Sequence, residues 1–372
     1  MANDGDDNVE ENVDGIVGVE PGENAGSVMT SHGPAPYSGD ILDNPDVVWM
    51  DDEWTEEEVQ RAERTVAERR GPVLRDSWKQ KYHREARMSW NKFYKRNGRN
   101  FFKDRHYLGK VFPDLAETEA DVRLAKALDL EAGGGRIGRA GRRTMLELGC
   151  GVGNAVFPLL EDNRGLYVIA VDLSTRAIDI LKQHPMYSCG RCEALVLDAS
   201  CDDLPPCVLE SGGVDMVLLQ FALSAVAVGD MGRVVRLAER ALKPGGKVFV
   251  RDYGRYDEAQ LRFGKGKCLG DNIYVRQDGT TSYFFSLEDL RQIFCNQPSA
   301  APKQDNVPCQ TDIFTSSMPT ANSDDSGETC KFGVGASLLE EELSFVRRQY
   351  ANRGQRLAMR RVWVHGIFRK PL

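Results

Sequence analysis

A glycine-rich loop is the first part of this chain whose residue types and spacing suit chemistry. Glycines stand at positions 149, 151 and 153, directly after an apolar run that ends at Leu148. Glycine lets a backbone turn sharply and approach a ligand without a Cβ clash. A dinucleotide-binding loop needs a further glycine where this chain has Asn154, and the acidic Glu147 lies two positions before the first glycine. The loop therefore favours a ligand other than a nicotinamide dinucleotide.

Two aspartates follow the loop at the ends of two further apolar runs, 168–171 and 194–197. A carboxylate at the end of the second strand, here Asp172, is placed to accept the hydroxyls of a ribose. Asp198 would then lie beside an adenine. Methyltransferases carry an acid at the position of Glu147, where it orders the methionine end of their cofactor. The set predicts S-adenosylmethionine, with nicotinamide binding or an empty structural fold as alternatives, held by Glu147, Gly149, Gly151, Asp172, Asp198 and Ala199.

Substrate-facing residues are expected where the next two strands end. Gln220 ends the run 214–220, and Phe221 follows it. Both are expected to face the site, and Gln220 is assigned to the cofactor. The Asn-Pro-Pro-Tyr motif with which many enzymes hold an exocyclic amine is missing there, which argues against amino-group methylation. Arg251, Asp252 and Tyr253 follow the run 247–250 and are expected to meet the substrate. The Asp-Gly pair at 278–279 indicates a hairpin turn.

The elements that position these residues alternate between strand and helix. Apolar runs at 143–148, 166–171, 194–197, 214–220 and 247–251 predict strands, and 154–162, 174–183 and 231–242 predict helices. A helix at 286–294 and a terminal strand at 360–368 follow. This order predicts an α/β, Rossmann-like class I methyltransferase fold, with a mostly parallel seven-stranded sheet and helices on both faces.

The two ends of the chain differ sharply in charge. Residues 1–60 contain 17 Asp or Glu and no Lys or Arg, which leaves 48 basic and 39 acidic residues in the remainder. Because residues 1–50 are polar and poor in aromatics, they predict a disordered acidic tail. Residues 51–130 predict a basic helical segment, and residues 131–372 predict the catalytic domain. The Ser- and Pro-rich stretch 297–335 predicts a disordered insertion.

The helical segment carries the strongest local charge. Residues 61–110 hold 16 Lys or Arg and 5 Asp or Glu. Such a density suits a polyanion such as a nucleic-acid backbone, although a solvated charged helix face is the alternative.

The composition also indicates the cellular compartment of the protein and whether it binds a metal. The sequence has no apolar signal core and no membrane-length apolar run, so we expect a cytoplasmic protein, with the nucleus as a second compartment. Its nine cysteines are scattered, which favours reduced thiols. Zinc at Cys189, Cys192, Cys201 and Cys207 is disfavoured because no second Cys-X-X-Cys or His pair accompanies the first, and no metal is predicted.

Six motifs together resemble the tRNA 3-methylcytidine methyltransferases of the methyltransferase-like group. They are Trp-Asn-Lys-Phe-Tyr at 90–94, Phe-Phe-Lys-Asp-Arg-His at 101–106, Leu-Glu-Leu-Gly-Cys-Gly at 146–151, Phe-Ala-Leu-Ser-Ala-Val at 221–226, Arg-Asp-Tyr-Gly at 251–254 and Tyr-Val-Arg-Gln-Asp-Gly at 274–279. The match covers about 79–294 and the end strand 361–364. Tyr107 departs from it, since the family usually has tryptophan there, and the loops 131–141 and 297–335 are long.

The resemblance implies methylation of N3 of cytosine 32 in the anticodon loop of certain tRNAs. It assigns Trp90 and Tyr94 to the cofactor, through a segment that folds over it. It places Lys103, Arg105 and His106 on the tRNA-facing or active-site rim, Phe101 and Phe102 in packing, and Arg276 at the substrate. Family members often need a partner such as seryl-tRNA synthetase.

Cytosine N3 keeps an in-plane lone pair at neutral pH, so the reaction needs no general base. The product is a cation, and a carboxylate near N3 and N4 would stabilise it. Asp252 is the first candidate and Asp257 the second, and the unpaired base would be held by Phe221, Tyr253 and Tyr256. Methylation of a small molecule or protein, and a silent tRNA-binding subunit, remain as alternatives.

Overall fold

A computed structural model describes residues 41–42, 49–132, 138–139, 141–209, 212–296, 331–352 and 356–372. Its strands are β1 Trp49–Asp51, β2 Arg143–Leu148, β3 Leu166–Asp172, β4 Cys192–Val196, β5 Val214–Gln220, β6 Leu242–Tyr253, β7 Cys268–Gly270, β8 Ile273–Val275, β9 Thr281–Tyr283, β10 Leu339–Asn352 and β11 Leu357–Arg369. Its helices are α1 Glu56–Arg69, α2 Asp76–Arg84, α3 Ala86–Asn97, α4 Leu108–Val111, α5 Glu119–Ala132, α6 Val156–Asp162, α7 Thr175–Lys182, α8 Pro206–Leu209, α9 Met231–Ala241, α10 Glu258–Arg262 and α11 Leu287–Cys295.

One large sheet has the strand order β1-β10-β11-β6-β5-β2-β3-β4. Strands β4, β3, β2, β5 and β6 are parallel, and β11, β10 and β1 join antiparallel beyond β6. The strand order reverses between β3 and β5, on either side of β2. Ligands bind at such a switch point, outside the carboxyl ends of the strands. The predicted fold class is confirmed, although the described sheet has eight strands and not seven.

Burial explains why the central strands are nearly continuous apolar runs. Strands β2, β3 and β5 are covered on both faces by helices, and most of their residues are fully buried. Helix α9 packs one apolar face on the sheet, and Ser174 and Ser286 cap α7 and α11 with their side chains. These short, well-anchored elements hold the strand ends in fixed positions.

The predicted boundary of the acidic tail is wrong at its carboxyl end. Ile41 is buried, and residues 49–51 form β1, which pairs with Tyr350 and its neighbours on β10. Residues 1–40 and 43–48 lie outside the described part of the chain. The Arg348 guanidinium of β10 lies over the Trp49 ring, and Asp52 accepts from Gln349 of β10 and pairs with Arg360 of β11. These partners are distant in the sequence, so the composition of residues 1–50 alone does not reveal them.

The predicted carboxyl-terminal boundary of the insertion, residue 335, is also wrong. Residues 297–330 lie outside the described residues, but Phe332 is fully buried in the main core. Its carbonyl accepts a hydrogen bond from the backbone N–H of Gly232 at the start of α9. Residues 331–335 therefore belong to the catalytic domain.

A second, small sheet of β7, β8 and β9 stands beside the carboxyl edge of the large sheet. The turn between β8 and β9 is the hairpin predicted from Asp278 and Gly279, and Asp278 accepts from the backbone and the hydroxyl of Thr280. A Cβ on Gly279 would lie 3.1 Å from the hydroxyl oxygen of Ser89. The hairpin tip thus touches α3.

Candidate active site

Two adjoining cavities open at the carboxyl edge of the parallel strands. The large cavity, about 790 Å³, lies toward β4, and the small cavity, about 270 Å³, lies toward β6. Trp90, Gly149 and Ala225 line both. Two ligands bound in these cavities would meet beside the glycine loop.

The glycine loop has the left-handed backbone that its sequence predicts. Gly149 and Gly151 have φ of 77° and 55°. A Cβ on Gly149 would lie 2.5 Å from that of Ala222, and one on Gly151 would lie 2.7 Å from the Tyr94 hydroxyl. Side chains at these positions would therefore fill the space in which the loop meets its neighbours.

Asp172 holds this loop in place. Its two carboxylate oxygens accept hydrogen bonds from the backbone N–H groups of Gly151 and Ser174, both at 2.8 Å. Burial raises the pKa of Asp172 to about 6, and these two donors oppose the rise. The predicted role at a ribose stays a prediction, but Asp172 certainly anchors the loop and the start of α7.

Glu147 is the buried acid of the small cavity. It is 2% exposed, and its Oε2 has no hydrogen-bond partner among the described residues. Burial raises the pKa of Glu147 to about 8, with nearby Arg105 opposing and Asp172 adding to the rise. A buried acceptor without a partner is costly, so the site is arranged for a ligand that donates a hydrogen bond or carries positive charge.

One wall of the large cavity lies on the β4 side. Asp198 and Ala199 line it, and Asp198 accepts from the backbone N–H of Ser200 at 3.1 Å. Their place beside an adenine stays a prediction. Helix α2 supplies the opposite wall with Tyr82 and His83. The N-terminal segment therefore encloses this cavity.

Helix α3 closes the space between the two cavities. Trp90 stacks on Tyr94, and Tyr94 packs with Phe93 against Val152 of the glycine loop. Tyr94 is 5% exposed, and burial holds the pKa of its hydroxyl well above the ordinary value. Both aromatics line the small cavity beside the glycine loop, and the cofactor contact that the resemblance implies for them stays a prediction.

Asn91 fastens α3 to the site, and sequence reasoning missed it. Its Oδ1 accepts from the Ser174 hydroxyl at 2.7 Å and from the Arg176 backbone at 3.1 Å. It therefore adds a second cap to α7, next to the Asp172 anchor. Its place in the 90–94 motif was the only signal in the sequence.

Aromatic rings and guanidinium groups alternate along one wall of the small cavity. Phe221 lies 5.0 Å from Tyr253 between ring centroids, Arg105 lies 5.0 Å above Phe221, and Arg276 lies 5.6 Å from Tyr253. Phe221 has φ of 53°, an uncommon conformation for an aromatic residue and typical of functional sites. A planar base fits against such a wall.

Asp252 and Arg251 are not in either cavity, which corrects their predicted catalytic roles. Asp252 is fully buried, and its oxygens accept from the backbone N–H groups of Ser224 and Tyr253. Burial raises the pKa of Asp252 to about 6. Arg251 is 2% exposed and lies over the rings of Tyr107 and Trp363. Both residues support the site from behind, and only Tyr253 of the three lines it.

Asp257 and Tyr256 are also displaced from the predicted position. Asp257 is fully buried, caps α10 and pairs with Arg361 at 2.8 Å. Tyr256 lies outside the linings of both cavities. The acids that do line the small cavity, within the described residues, are Glu147 and Asp278.

The 101–106 motif divides between the cavity and the surface. Phe101, Phe102 and Arg105 line the small cavity, whereas Lys103 and His106 are exposed and outside it. The backbone N–H of Arg105 donates to the Asn154 carbonyl at 2.8 Å, which ties the motif to the glycine loop. Arg105 is therefore an active-site residue and not part of a rim.

Two further features of the described residues bear on other functions. No three His, Cys, Asp or Glu side chains there lie close enough together to hold a metal ion. None of the helices in the described ranges combines the length and apolar character needed to cross a membrane.

The sheet order, the positive-φ glycine loop, the buried acid at Glu147 and the adjoining cavities define a class I methyltransferase that uses S-adenosylmethionine. A methyltransferase-domain family model matches residues 146–248. The chain is 35% identical to the tRNA N(3)-cytidine methyltransferase METTL2 of Danio rerio over 87% of this chain and 84% of that protein. It belongs to the tRNA N(3)-methylcytidine methyltransferase family.

Two further relatives are tRNA N(3)-methylcytidine or N(3)-cytidine methyltransferases by name. The tRNA N(3)-methylcytidine methyltransferase Mettl2 of Drosophila melanogaster is 35% identical over 87% of this chain and 83% of its own length. The tRNA N(3)-cytidine methyltransferase METTL6 of Mus musculus is 46% identical over 58% of this chain and 70% of its own length. A solved SAM-dependent methyltransferase from Methanosarcina mazei aligns at 16% identity over 62% of this chain and 93% of its own, with a TM-score of 0.39.

The residues present fit S-adenosylmethionine. The glycine cradle admits a ligand close to the backbone, and Glu147 offers a buried acceptor for the ammonium group of the methionine end. Asp198 and Ala199 lie in the cavity that suits the adenosine. When bound, the cofactor would supply an electrophilic methyl group.

Cofactor affinity is expected to rise with pH between about 6.5 and 8. Because the pKa of Glu147 is about 8 in the free protein, its carboxyl is largely protonated at neutral pH. An ammonium partner requires the carboxylate, so binding releases a proton and strengthens up to about tenfold per pH unit. Above about pH 8 the cofactor's own amino group loses its proton and the gain ends.

Calorimetric titration in buffers of different ionisation enthalpy measures both the affinity and the released proton. Glu147→Gln removes the titrating group and retains the shape of the side chain, so its affinity should be lower and nearly independent of pH. An equal pH slope in both proteins would assign the titration to another group.

Proposed function

We propose that this protein transfers the methyl group of S-adenosylmethionine to N3 of cytosine 32 in the anticodon loop of a subset of tRNAs. The observation that carries this proposal is the small cavity, whose wall of Phe221, Tyr253 and flanking arginines suits an extruded pyrimidine next to the cofactor cavity. Family membership supports cytosine N3 as the acceptor atom.

The chain's residues act by positioning and by charge. Phe221 and Tyr253 hold the base plane, and helix α3 excludes water from the contact between donor and acceptor. The N3 lone pair forms the new bond to carbon while the carbon–sulfur bond breaks toward sulfur, and no proton leaves N3. The base becomes a cation, and Asp278, which lines the cavity together with the cofactor-binding Glu147, takes over the role predicted for Asp252.

The basic face of α3 continues outward from the small cavity. Lys92 and Arg96 line the cavity, and Lys95 and Arg87 lie with Lys92 around a shallow surface depression beyond it. A tRNA loop whose base enters the cavity would place its phosphates along this face. The local charge of 61–110 supports this path.

Mass spectrometry of tRNA nucleosides tests the proposal. Cells that lack the protein should lose 3-methylcytidine from its target tRNAs, and the mark should return with the wild-type gene. Purified full-length protein should form the product on a tRNA with cytidine at position 32 and none on the same tRNA with uridine there. Unchanged 3-methylcytidine in the cells and no product in vitro would contradict the assignment.

A protein partner forms part of the same proposal. We propose that an aminoacyl-tRNA synthetase, seryl-tRNA synthetase first, presents the tRNA, and that the reaction takes place in the cytoplasm. Adding the synthetase to the purified reaction should raise kcat/KM on serine tRNAs at least tenfold. Unchanged activity on those tRNAs would remove the synthetase from the proposal and leave the chemistry in place.

A further inference from the structure

Three buried polar atoms of the small cavity have no hydrogen-bond partner among the described residues. They are Glu147 Oε2, Gln220 Oε1 and Arg276 Nε. Two are acceptors and one is a donor. Buried polar atoms in native proteins nearly always find partners, so these three indicate what the ligands present to this cavity. The cofactor ammonium accounts for the first atom, which leaves Gln220 Oε1 and Arg276 Nε for the acceptor.

The amide of Gln220 is held in one orientation from behind. Its Nε2 donates to the Tyr107 hydroxyl at 3.1 Å, and Arg105 also donates to that oxygen, at 3.4 Å. Because the Tyr107 oxygen accepts from both groups, the Gln220 amide turns its nitrogen toward Tyr107. Its Oε1 acceptor therefore points away from Tyr107. Gln220 is 5% exposed, so it has little freedom to rotate.

Gln220, which the sequence assigned to the cofactor, is also in the right place for the base. It ends β5 immediately before Phe221, whose ring forms the stacking wall, and it lines the small cavity but not the large one. Arg276 enters from the other side, on the β8-β9 hairpin, where it donates to the Ser282 hydroxyl and lies over Tyr253. An acceptor and a donor therefore flank the base-sized space.

We propose, on the basis of the function proposed above, that Gln220 Oε1 accepts a hydrogen bond from the N4 amino group of the target cytosine, that Arg276 Nε donates to its O2, and that Tyr107 positions the Gln220 amide. The assignment matches the cytosine edge, which has a donor at N4, an acceptor at O2 and the reacting N3 between them. It also gives a role to Tyr107, the residue at which this chain departs from the family pattern.

The arrangement discriminates cytosine from uracil and favours the transition state. Uracil has an oxygen at position 4, which would lie opposite Gln220 Oε1. Both atoms are acceptors, so neither oxygen would have a hydrogen-bond donor. As N3 is methylated, positive charge spreads over N3, C4 and N4, so the N4–H donor becomes stronger. The hydrogen bond to Gln220 is therefore worth more in the transition state than in the bound substrate, and its loss should lower kcat more than it raises KM.

The test compares two tRNA substrates that differ only at the target base. One carries cytidine, and the other carries the 2-pyrimidinone nucleoside, which keeps N3 and O2 but lacks the 4-amino group. Full-length wild type, Gln220→Leu, Tyr107→Phe and the double variant are assayed on both, with the synthetase where it is required. Tyr167→Phe, on β3 outside both cavities, is the matched control.

Gln220→Leu is expected to lower kcat on cytidine about 10- to 100-fold, the usual range for a hydrogen bond to a charged group. Its rate on 2-pyrimidinone should stay within about threefold of wild type, because no N4 group is there to lose. Tyr107→Phe should lower the cytidine rate less, and the double variant should be no slower than Gln220→Leu. Dividing each variant's rate by the wild-type rate on the same substrate cancels the intrinsic reactivity of the analogue. Comparing that ratio between the two substrates cancels any general loss of folded enzyme.

Other outcomes assign the amide elsewhere. Equal losses on both substrates would mean that Gln220 supports packing, and a raised dissociation constant for S-adenosylmethionine with an unchanged base preference would mean that it binds the cofactor. Either result overturns the proposal while the enzyme remains a methyltransferase. A wild-type protein that makes no 3-methylcytidine on the cytidine substrate would instead overturn the function on which it rests.

Discussion

Asp172→Ala is expected to raise the dissociation constant for S-adenosylmethionine at least 100-fold and to abolish measurable methyl transfer. Its carboxylate accepts from the N–H groups of Gly151 and Ser174, and alanine leaves both donors without this partner. Each unpaired buried donor costs about 1 to 3 kcal/mol. The glycine loop then loses its fixed shape, and cofactor binding must supply the free energy to restore it.

Calorimetric titration of the cofactor, together with thermal unfolding, separates loss of the site from loss of the fold. Asp172→Asn retains one acceptor oxygen but turns an N–H group toward a backbone donor, so we expect an intermediate or equally large loss. Asp179→Ala, at an exposed position on α7, is the matched control and should bind normally. Wild-type affinity in a folded Asp172→Ala protein would show that the anchor is dispensable.

The convergence of the predicted cofactor residues at one edge of the sheet follows from parallel topology. Where strands alternate with helices, the carboxyl end of every parallel strand reaches the same edge, so Glu147, Asp172 and Asp198 had to converge there. These residues could be picked out because local apolar runs locate each strand end to within a few residues. The structure places Asp172 behind the loop, however, because two backbone donors lie within its reach.

Strand β6 shows where the same reasoning fails. The apolar run suggested that this strand ends near Arg251, which would leave Asp252 and Tyr253 beyond the edge. Antiparallel pairing with β11 continues through Asp252 with Val364 and Tyr253 with Trp363. Strand β6 is therefore longer than its own sequence indicates, and Asp252 turns inward to the backbone of Ser224. The partner that extends it lies more than a hundred residues away in the chain.

Strand β10 was missed for a related reason. Its residues 340–342 are all glutamate, and two arginines follow at 347–348, so it has neither an apolar run nor a clear alternation. Pairing with β11 along nearly its whole length and with β1 stabilises it. The covering role of Trp90 and Tyr94 likewise followed only from the family resemblance, because helical spacing alone equally predicts core aromatics.

Reversing the charge of Lys92, Lys95 and Arg96 together is expected to weaken tRNA binding about 100-fold at moderate salt. All three side chains are exposed on α3, and Lys92 and Arg96 reach the mouth of the small cavity. Contacts between cations and phosphates release counterions, so wild-type affinity should fall steeply as salt rises. Losing three such contacts should lower the slope of log Kd against log salt by about 2.

Binding isotherms over a series of salt concentrations measure both effects. The matched control reverses Arg123, Lys126 and Lys182, three exposed cations on α5 and α7 that lie outside both cavities. The control carries the same change in net charge, so a purely global field would weaken binding equally in the two triple variants. Because the α3 face adjoins the cavity that takes the base, we expect the loss to be confined to the first variant, with cofactor affinity unchanged in both. Salt-insensitive tRNA binding, or equal losses in the two variants, would mean that α3 is a solvated charged face and that the tRNA follows another path to the small cavity.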